Sequence, residues 1–444
     1  MTYKLPPSAQ KVLTTMKKAG FETYAVGGSV RDLLMGRPTK NWDFTTNAAP
    51  SEILKIYPDG FYDNAFGTVG VALENGEIYE ITTFRTESNY RDHRHPAKVL
   101  WGQTLAEDLG RRDFTVGAIA FDGKNFIDPY NGQQDLKDKI IRTVGNPNQR
   151  FAEDALRLMR AIRIATELEF LLEAETLAAI VANAALIREI SSERVRDELL
   201  KILATDHPAE GISLLKNAGL LREILPEVEK GFGVNQVSPG RHHLYDVGTH
   251  SFLSLKFCPS QNPIVRLATL IHDIGKPATF KQDEKGLITF YNHEVIGASL
   301  ARHLADRLKL SKKDRDRLVT MVRWHQFSVD EKQTDSALRR FIRRVGKENL
   351  KDMLDLRIGD RLGGGARETS WRLKLFIKRL DEVQKQPFTV ADLKVDGHDV
   401  MKILNLDSGP KIGQVLNELF TEVVEKGQPN ERNSLLKKIK NLTS

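Results

Sequence analysis

Residues 25–32 read AVGGSVRD and residues 41–48 read NWDFTTNA. The first stretch is an apolar strand running into two glycines, after which Val30-Arg31-Asp32 opens a helix. Gly27 and Gly28 carry no Cβ, so the backbone there can come close to a phosphate. The N–H groups of an opening helix add donors, and Arg31 offers a charge-assisted contact to a triphosphate oxygen. In the second stretch, positions 41 and 43 are two apart and on a strand share a face. Two carboxylates at that spacing hold a pair of Mg²⁺ ions, one at an attacking 3′-hydroxyl and one at the triphosphate. Here the pair is Asn41 and Asp43, and Glu80, in EIYEITTF, is the natural further carboxylate.

Working outward, EDLGRRDFTVGAIAFD places Arg111, Arg112 and Asp113 ahead of an apolar segment. Paired guanidinium forks match the geometry of nucleotide phosphates. Up to about residue 145, short β-rich segments at 23–26, 43–45, 69–73, 78–84 and 125–128 alternate with turns and short helices. From Phe151 onward a 3.6-residue period dominates, as in DALRLMRAIRIATEL. The expected class is therefore α+β, a mixed-sheet head followed by a mostly α-helical body.

The helix after Phe151 carries Glu153, Asp154, Arg157, Arg160 and Arg163 along nearly one side. Cytosine and adenine both present a ring-nitrogen acceptor beside an amino donor, whereas uracil and guanine present a donor at that ring position. A donating arginine with an accepting aspartate therefore fits C or A and rejects U and G. Further on, His250, the doublet His272-Asp273 and Asp360 give the order H…HD…D, a set able to hold a divalent metal. His293 and His325 are extra ligands for a second ion, while His242, His243, His303 and His398 read as ordinary packed or exposed histidines. Arg339, Arg340, Arg343 and Arg344 form a basic strip suited to phosphates.

A length of 444 residues implies two to four domains. The net charge of +7 and pI near 9.2 suit a polyanionic partner. A single cysteine, Cys258, excludes an internal disulfide framework, and no apolar run is long enough to span a bilayer. The N-terminal stretch lacks a signal peptide's apolar block, so a cytoplasmic location is expected.

The ordered set GGSVRD, WDF, RRDFT and EDALRLMRAIR resembles the class II tRNA nucleotidyltransferases, that is, the CCA-adding enzymes and bacterial poly(A) polymerases. The resemblance implies a nucleotidyltransferase head (1–145), a nucleotide-selecting neck and body (146–235), an HD-type phosphohydrolase domain (236–375) and a tRNA-binding tail (376–444). It implies template-independent addition of CCA to tRNA from CTP and ATP with Mg²⁺ in the head. Asp154 and Arg157 then select the base, and Arg160 and Arg163 contact the nucleotide. The HD segment would take a divalent transition metal and hydrolyse phosphoesters at RNA ends. The charged stretch at 85–99 resembles the flexible loop used for the final A. The family carries Asp-x-Asp where this chain has Asn41-Trp42-Asp43. An amide is a poorer ligand for a hard cation, so transfer is expected to be slowed. The other readings are a poly(A) polymerase, or an inactive head that serves as a tRNA-binding platform for an HD hydrolase.

Overall fold

The computed structural model describes residues 3–441 except 40, 64–66, 74–75, 91–95, 102–103, 238–243, 368, 385–388 and 426–427; for 86–103 it describes backbone only. The class is α+β. The head sheet has seven strands: β1 (Thr23–Val26), β2 (Asp43–Thr46), β3 (Phe61–Asp63), β4 (Thr68–Ala72), β5 (Ile78–Thr83), β8 (Ala120–Phe121) and β9 (Phe126–Ile127). Between β5 and β8, the strands β6 (Arg85–Tyr90) and β7 (Pro96–Trp101) form a separate antiparallel pair. This is the charged stretch expected as a loop, and its middle, 91–95, lies outside the described residues.

The sheet order is β3-β4-β5-β2-β1-β8-β9, with β2 and β5 parallel and the other neighbours antiparallel. Alternation along the strands decides which face carries chemistry. On β5, Tyr79 and Ile81 are buried while Glu80 is exposed; on β2, Phe44 is buried and Asp43 is exposed. The inward side chains join Trp42, Val69, Val71 and Phe121 in the head core. Asp43 and Glu80 are register partners on the outer face.

Asn41 does not share that strand, contrary to the expectation from spacing. β2 begins at Asp43, which pairs with Val26 at the end of β1. Gly27 then turns away with φ +79°, a conformation that favours glycine, so the chain before Asp43 has no β1 neighbour to pair with. Trp42, 2% exposed, anchors the entry.

Beyond the head, one continuous hydrophobic core extends from Phe114 to Val383, and a separate small core from Leu393 to Ile439 supports the last helices. The segments 146–235 and 236–375 thus share packing. Arg266 ties them further, its Nη1 donating to the carbonyls of Leu203 (2.7 Å) and Thr205 (2.6 Å). No helix among the described residues is long and apolar enough to cross a membrane.

Candidate functional site

A cavity of about 390 Å³ in the head is lined by Asp43, Glu80, Arg111 and Arg112, with Phe61 and Thr82 on its wall. Solvent reaches Asp43, yet the walls strip enough water from its carboxyl that burial, aided by repulsion from Glu80, pushes it up to about 6; Arg112 pulls the other way. A Cβ on Gly27 would sit 3.2 Å from Arg112 Nη1 and 3.5 Å from Asp43 Oδ2, so glycine there leaves the cavity open. The two arginines are aimed by Asp108, which is fully buried: Arg111 Nη2 lies 2.6 Å from Oδ1 and Arg112 Nη2 3.3 Å from Oδ2. Sequence reading passed over Asp108, although its i,i+3 and i,i+4 spacing to the arginines was visible.

Two expected members are not in this cavity lining. Asn41 is exposed and outside it. Arg31 is buried, its Nε donating to Asp32 at 2.9 Å and its Nη2 3.9 Å from Glu167 of the body. Its guanidinium is thus held beside Asp32 and faces the helix Leu156–Leu168.

The neck residues form an ion-pair lattice beside the head. Arg160 holds Asp113 through Nε (2.7 Å) and Nη2 (2.6 Å). Arg157 pairs with Glu153 (2.6 Å) and donates to the carbonyl of Arg111 (3.1 Å), linking neck to cavity wall. Asp154 accepts from Arg194 at 2.7 Å, and Arg163 pairs with Glu198 at 2.7 Å. Arg194 and Glu198 were not singled out from sequence; they lie about 40 residues away on another helix, with no local spacing to betray them.

Burial alone would push the Asp113 carboxyl up, but Arg160 and then Arg157 outweigh it and hold it below 3.8. The stabilisation from this pair is therefore complete above that pH and is lost as pH falls through the depressed value. Asp113→Asn is expected to cost about 3 kcal/mol near neutrality. The difference between the two proteins should shrink as pH falls below 3.8 towards the depressed value; urea unfolding at neutral and acid pH checks this, and a difference that does not shrink would count against it.

The H…HD…D order closes into one buried cluster. His250 Nε2 lies 3.2 Å from His272 Nε2, 3.6 Å from Asp273 Oδ2 and 3.2 Å from Asp360 Oδ1. The other Asp273 oxygen, Oδ1, faces His293 Nε2 (3.3 Å) and His325 Nε2 (3.6 Å). Two overlapping donor sets result: His250, His272, Asp273; and Asp273, His293, His325. Nδ1 of His272, His293 and His325 each meets the carbonyl three residues back, at 2.7, 2.8 and 2.7 Å. A carbonyl only accepts, so each Nδ1 carries a proton and each Nε2 is turned into the cluster, where a metal ion would take the place of any proton it holds. Burial opposes a charged His272, but Asp273 and then Asp360 outweigh it and push the ring up to about 10. That negative field, with imidazole and carboxylate donors together, fits a divalent cation.

Local structure explains the placement. The helix Pro263–Ile271 is buried from Ile264 onward and delivers His272 at its end. A Cβ on Gly275 would stand 2.1 Å from the His293 carbonyl, so glycine lets the turn after the doublet press against the start of the His293–Arg307 helix. His303 and His398 are exposed, as expected, and His242 and His243 lie outside the described residues.

The basic strip expected over Arg339, Arg340, Arg343 and Arg344 is exposed only in part. Arg340, Arg343 and Arg344 are exposed, but Arg339 is 5% exposed and its Nη1 donates to the Val424 carbonyl. On an amphipathic helix the residue beside Leu338 turns inward, and here the tail packs over it.

A model of the Poly A polymerase head domain matches residues 23–142, one for an RNA- and SrmB-binding site of polymerase A matches 169–232, and one for tRNA nucleotidyltransferase domain 2 matches 281–439. The chain is 31% identical to the CCA-adding enzyme of Staphylococcus saprophyticus, with 99% of each covered. It is 45% identical over 230 residues to the CCA-adding enzyme of Geobacillus thermodenitrificans, 51% of this chain and 57% of that one. The match thus spans about half the length of several curated relatives. The crystal structure of Bacillus stearothermophilus CCA-adding enzyme in complex with CTP superposes over 99% of this chain and 98% of that one, with TM-score 0.72 and 28% identity. Thermotoga maritima CCA-adding enzyme complexed with tRNA shares the fold at TM-score 0.59 and 18% identity.

Proposed function

The chain belongs to the family of CCA-adding enzymes, and from that premise we propose that its head adds C, C and A to tRNA 3′ ends from CTP and ATP, without a template and in the cytoplasm. The observation that carries this is the side-by-side placement of Asp43 and Glu80 in one cavity with Arg111 and Arg112. Two adjacent carboxylates fit Mg²⁺, a hard ion that takes oxygen ligands. When bound, Mg²⁺ supplies Lewis-acid activation of the 3′-hydroxyl and charge compensation at the triphosphate. Arg111 and Arg112, oriented by Asp108, hold phosphate oxygens as the 3′-oxygen bonds to the α-phosphorus and pyrophosphate leaves. Asp154 and Arg157 present the acceptor and donor that suit C and A. Their present partners, Arg194 and Glu153, must be exchanged for the base edge. Arg160 and Arg163 flank that choice, and the exposed Arg340, Arg343 and Arg344 track the tRNA backbone together with the tail.

A second reading concerns the helical middle and rests on the buried histidine–aspartate cluster. His250, His272, Asp273 and Asp360 hold one divalent metal, with Asp273, His293 and His325 able to hold a second, and this HD-type site hydrolyses phosphoesters at RNA ends. Metal there supplies Lewis-acid activation of water and of the phosphoryl group.

The test is extension of tRNAs ending before CCA, after CC and intact, with each nucleotide supplied separately. The expected result is C, C, then A, with UTP and GTP refused. Asn41→Asp should raise the rate by about tenfold or more, because it restores the family's Asp-x-Asp by adding a carboxylate two residues ahead of Asp43, just outside the cavity lining. Tailing with A alone would favour a poly(A) polymerase. No extension by either protein, despite tRNA binding, would leave the head as a binding platform for the hydrolase.

A further inference from the structure

One row of register partners crosses the outer face of the head sheet. Phe61 on β3 stands opposite Gly70 on β4, Gly70 opposite Glu80 on β5, and Glu80 opposite Asp43 on β2. Directly opposed residues share a face, so Phe61 stands on the side that carries the two carboxylates. It lines the same cavity as they do and is 55% exposed.

Gly70 fixes the attitude of the ring. A Cβ there would stand 2.1 Å from Phe61 Cζ, 2.5 Å from Cε1 and 2.6 Å from Cε2. Distances so nearly equal put that Cβ against the flat of the ring, not beyond its edge. The ring therefore lies along the sheet with one face on the glycine, and the opposite face is open to the cavity. Covering a strand glycine with an aromatic ring is a known way to support a sheet, but that role needs only apolar bulk. Here the ring tip also lies one strand spacing, ~4.8 Å, from the strand that bears Glu80.

Position along the row decides which substrate meets the ring. Gly27, which follows β1, and the Arg112 guanidinium beside it lie across Asp43 from Phe61. Arg157, proposed above for the incoming base, holds the carbonyl of Arg111, next to Arg112. The incoming nucleotide is thus served from the β1 side. In an in-line displacement the attacking and leaving oxygens lie on opposite sides of the phosphorus. With pyrophosphate leaving toward Gly27 and Arg112, the 3′-oxygen arrives from the side of Glu80 and Phe61.

We infer that Phe61 is the platform for the 3′-terminal base of the RNA being extended, stacking that base on its open face so that the ribose 3′-oxygen meets the carboxylates. The inference rests on the transferase reading of the head and names where its second substrate is held. Every base has a π-face, so the platform serves a terminus whose base changes as nucleotides are added.

The test uses the full chain and two tRNAs ending before CCA that differ only at the 3′-terminal residue, a normal nucleotide or an abasic ribose with its 3′-hydroxyl. Binding is measured by fluorescence anisotropy without nucleotide, and C addition with Mg²⁺ while tRNA or CTP is varied. The base-bearing tRNA is expected to bind about 5- to 100-fold more tightly. Phe61→Leu, which keeps an apolar cover over Gly70, should erase that preference and raise the KM for tRNA but not for CTP. Phe61→Tyr should behave as the parent does. Equal binding of the two tRNAs by the parent, or a preference that survives Phe61→Leu, overturns the platform even if C is added. Loss of the preference in Phe61→Tyr as well overturns stacking as its cause. A rise confined to the KM for CTP overturns the choice of occupant, because the ring then serves the incoming nucleotide. A Phe61-dependent preference with no C addition, even after Asn41→Asp, overturns the transferase reading and leaves the platform standing.

Discussion

Asp43→Asn should lower nucleotide addition by about a thousandfold or more, several kcal/mol of barrier, with tRNA binding little changed. Asp43 is the carboxylate that both pairs in register with Glu80 and approaches Arg112, so removing its charge leaves one carboxylate to hold a divalent ion. Asparagine matches its shape and keeps Phe44 and Trp42 in the head core, so loss of fold is not the expected cause. Single-turnover extension of a tRNA lacking CCA, with tRNA affinity measured in parallel, separates the two. Activity within tenfold of the parent would show that Glu80 or Asn41 carries the metal instead. The comparison with Asn41→Asp is informative because the two changes move the carboxylate count in opposite directions.

Asp273→Asn should empty the second centre. Its two oxygens face different histidine pairs, His250 with His272 and His293 with His325, so one substitution removes a ligand from both donor sets. Metal content after loading with Mn²⁺ and desalting is expected to fall to background, and phosphoester hydrolysis by about a thousandfold. CTP and ATP addition should persist, since the head draws no residue from this cluster. Lys276 Nζ lies 2.6 Å from Asp273, and an unpaired buried ammonium is costly. His325→Asn, which leaves that pair intact, is therefore the companion variant. It should lose only the ion at Asp273, His293 and His325. Full metal retention by both variants would remove the metal-site reading.

Much of the head was legible because its signals are local. Strand alternation, the glycine pair and the arginine doublet all act within a few residues, and strands at 23–26 and 78–83 stand where periodicity placed them. The failures share a cause. Position 41 obeys the two-residue rule only if the strand extends to it, and strand extent depends on a neighbour's length, here a β1 ended by Gly27. Arg31 and Arg339 carry the charge expected for phosphate contacts, but Arg31 is held by its neighbour Asp32 and Arg339 by the Val424 carbonyl of a distant segment.

By itself the sequence determined the α+β order of elements, the outward carboxylates Asp43 and Glu80, and the H…HD…D donor types, because backbone period and donor chemistry are properties of neighbouring residues. Only the tertiary structure decided which donors converge. It joined His250, His272, Asp273 and Asp360 across 110 residues and split Asp273 between two histidine pairs. Convergence of that kind is set by helix packing around a shared core, which no local pattern encodes.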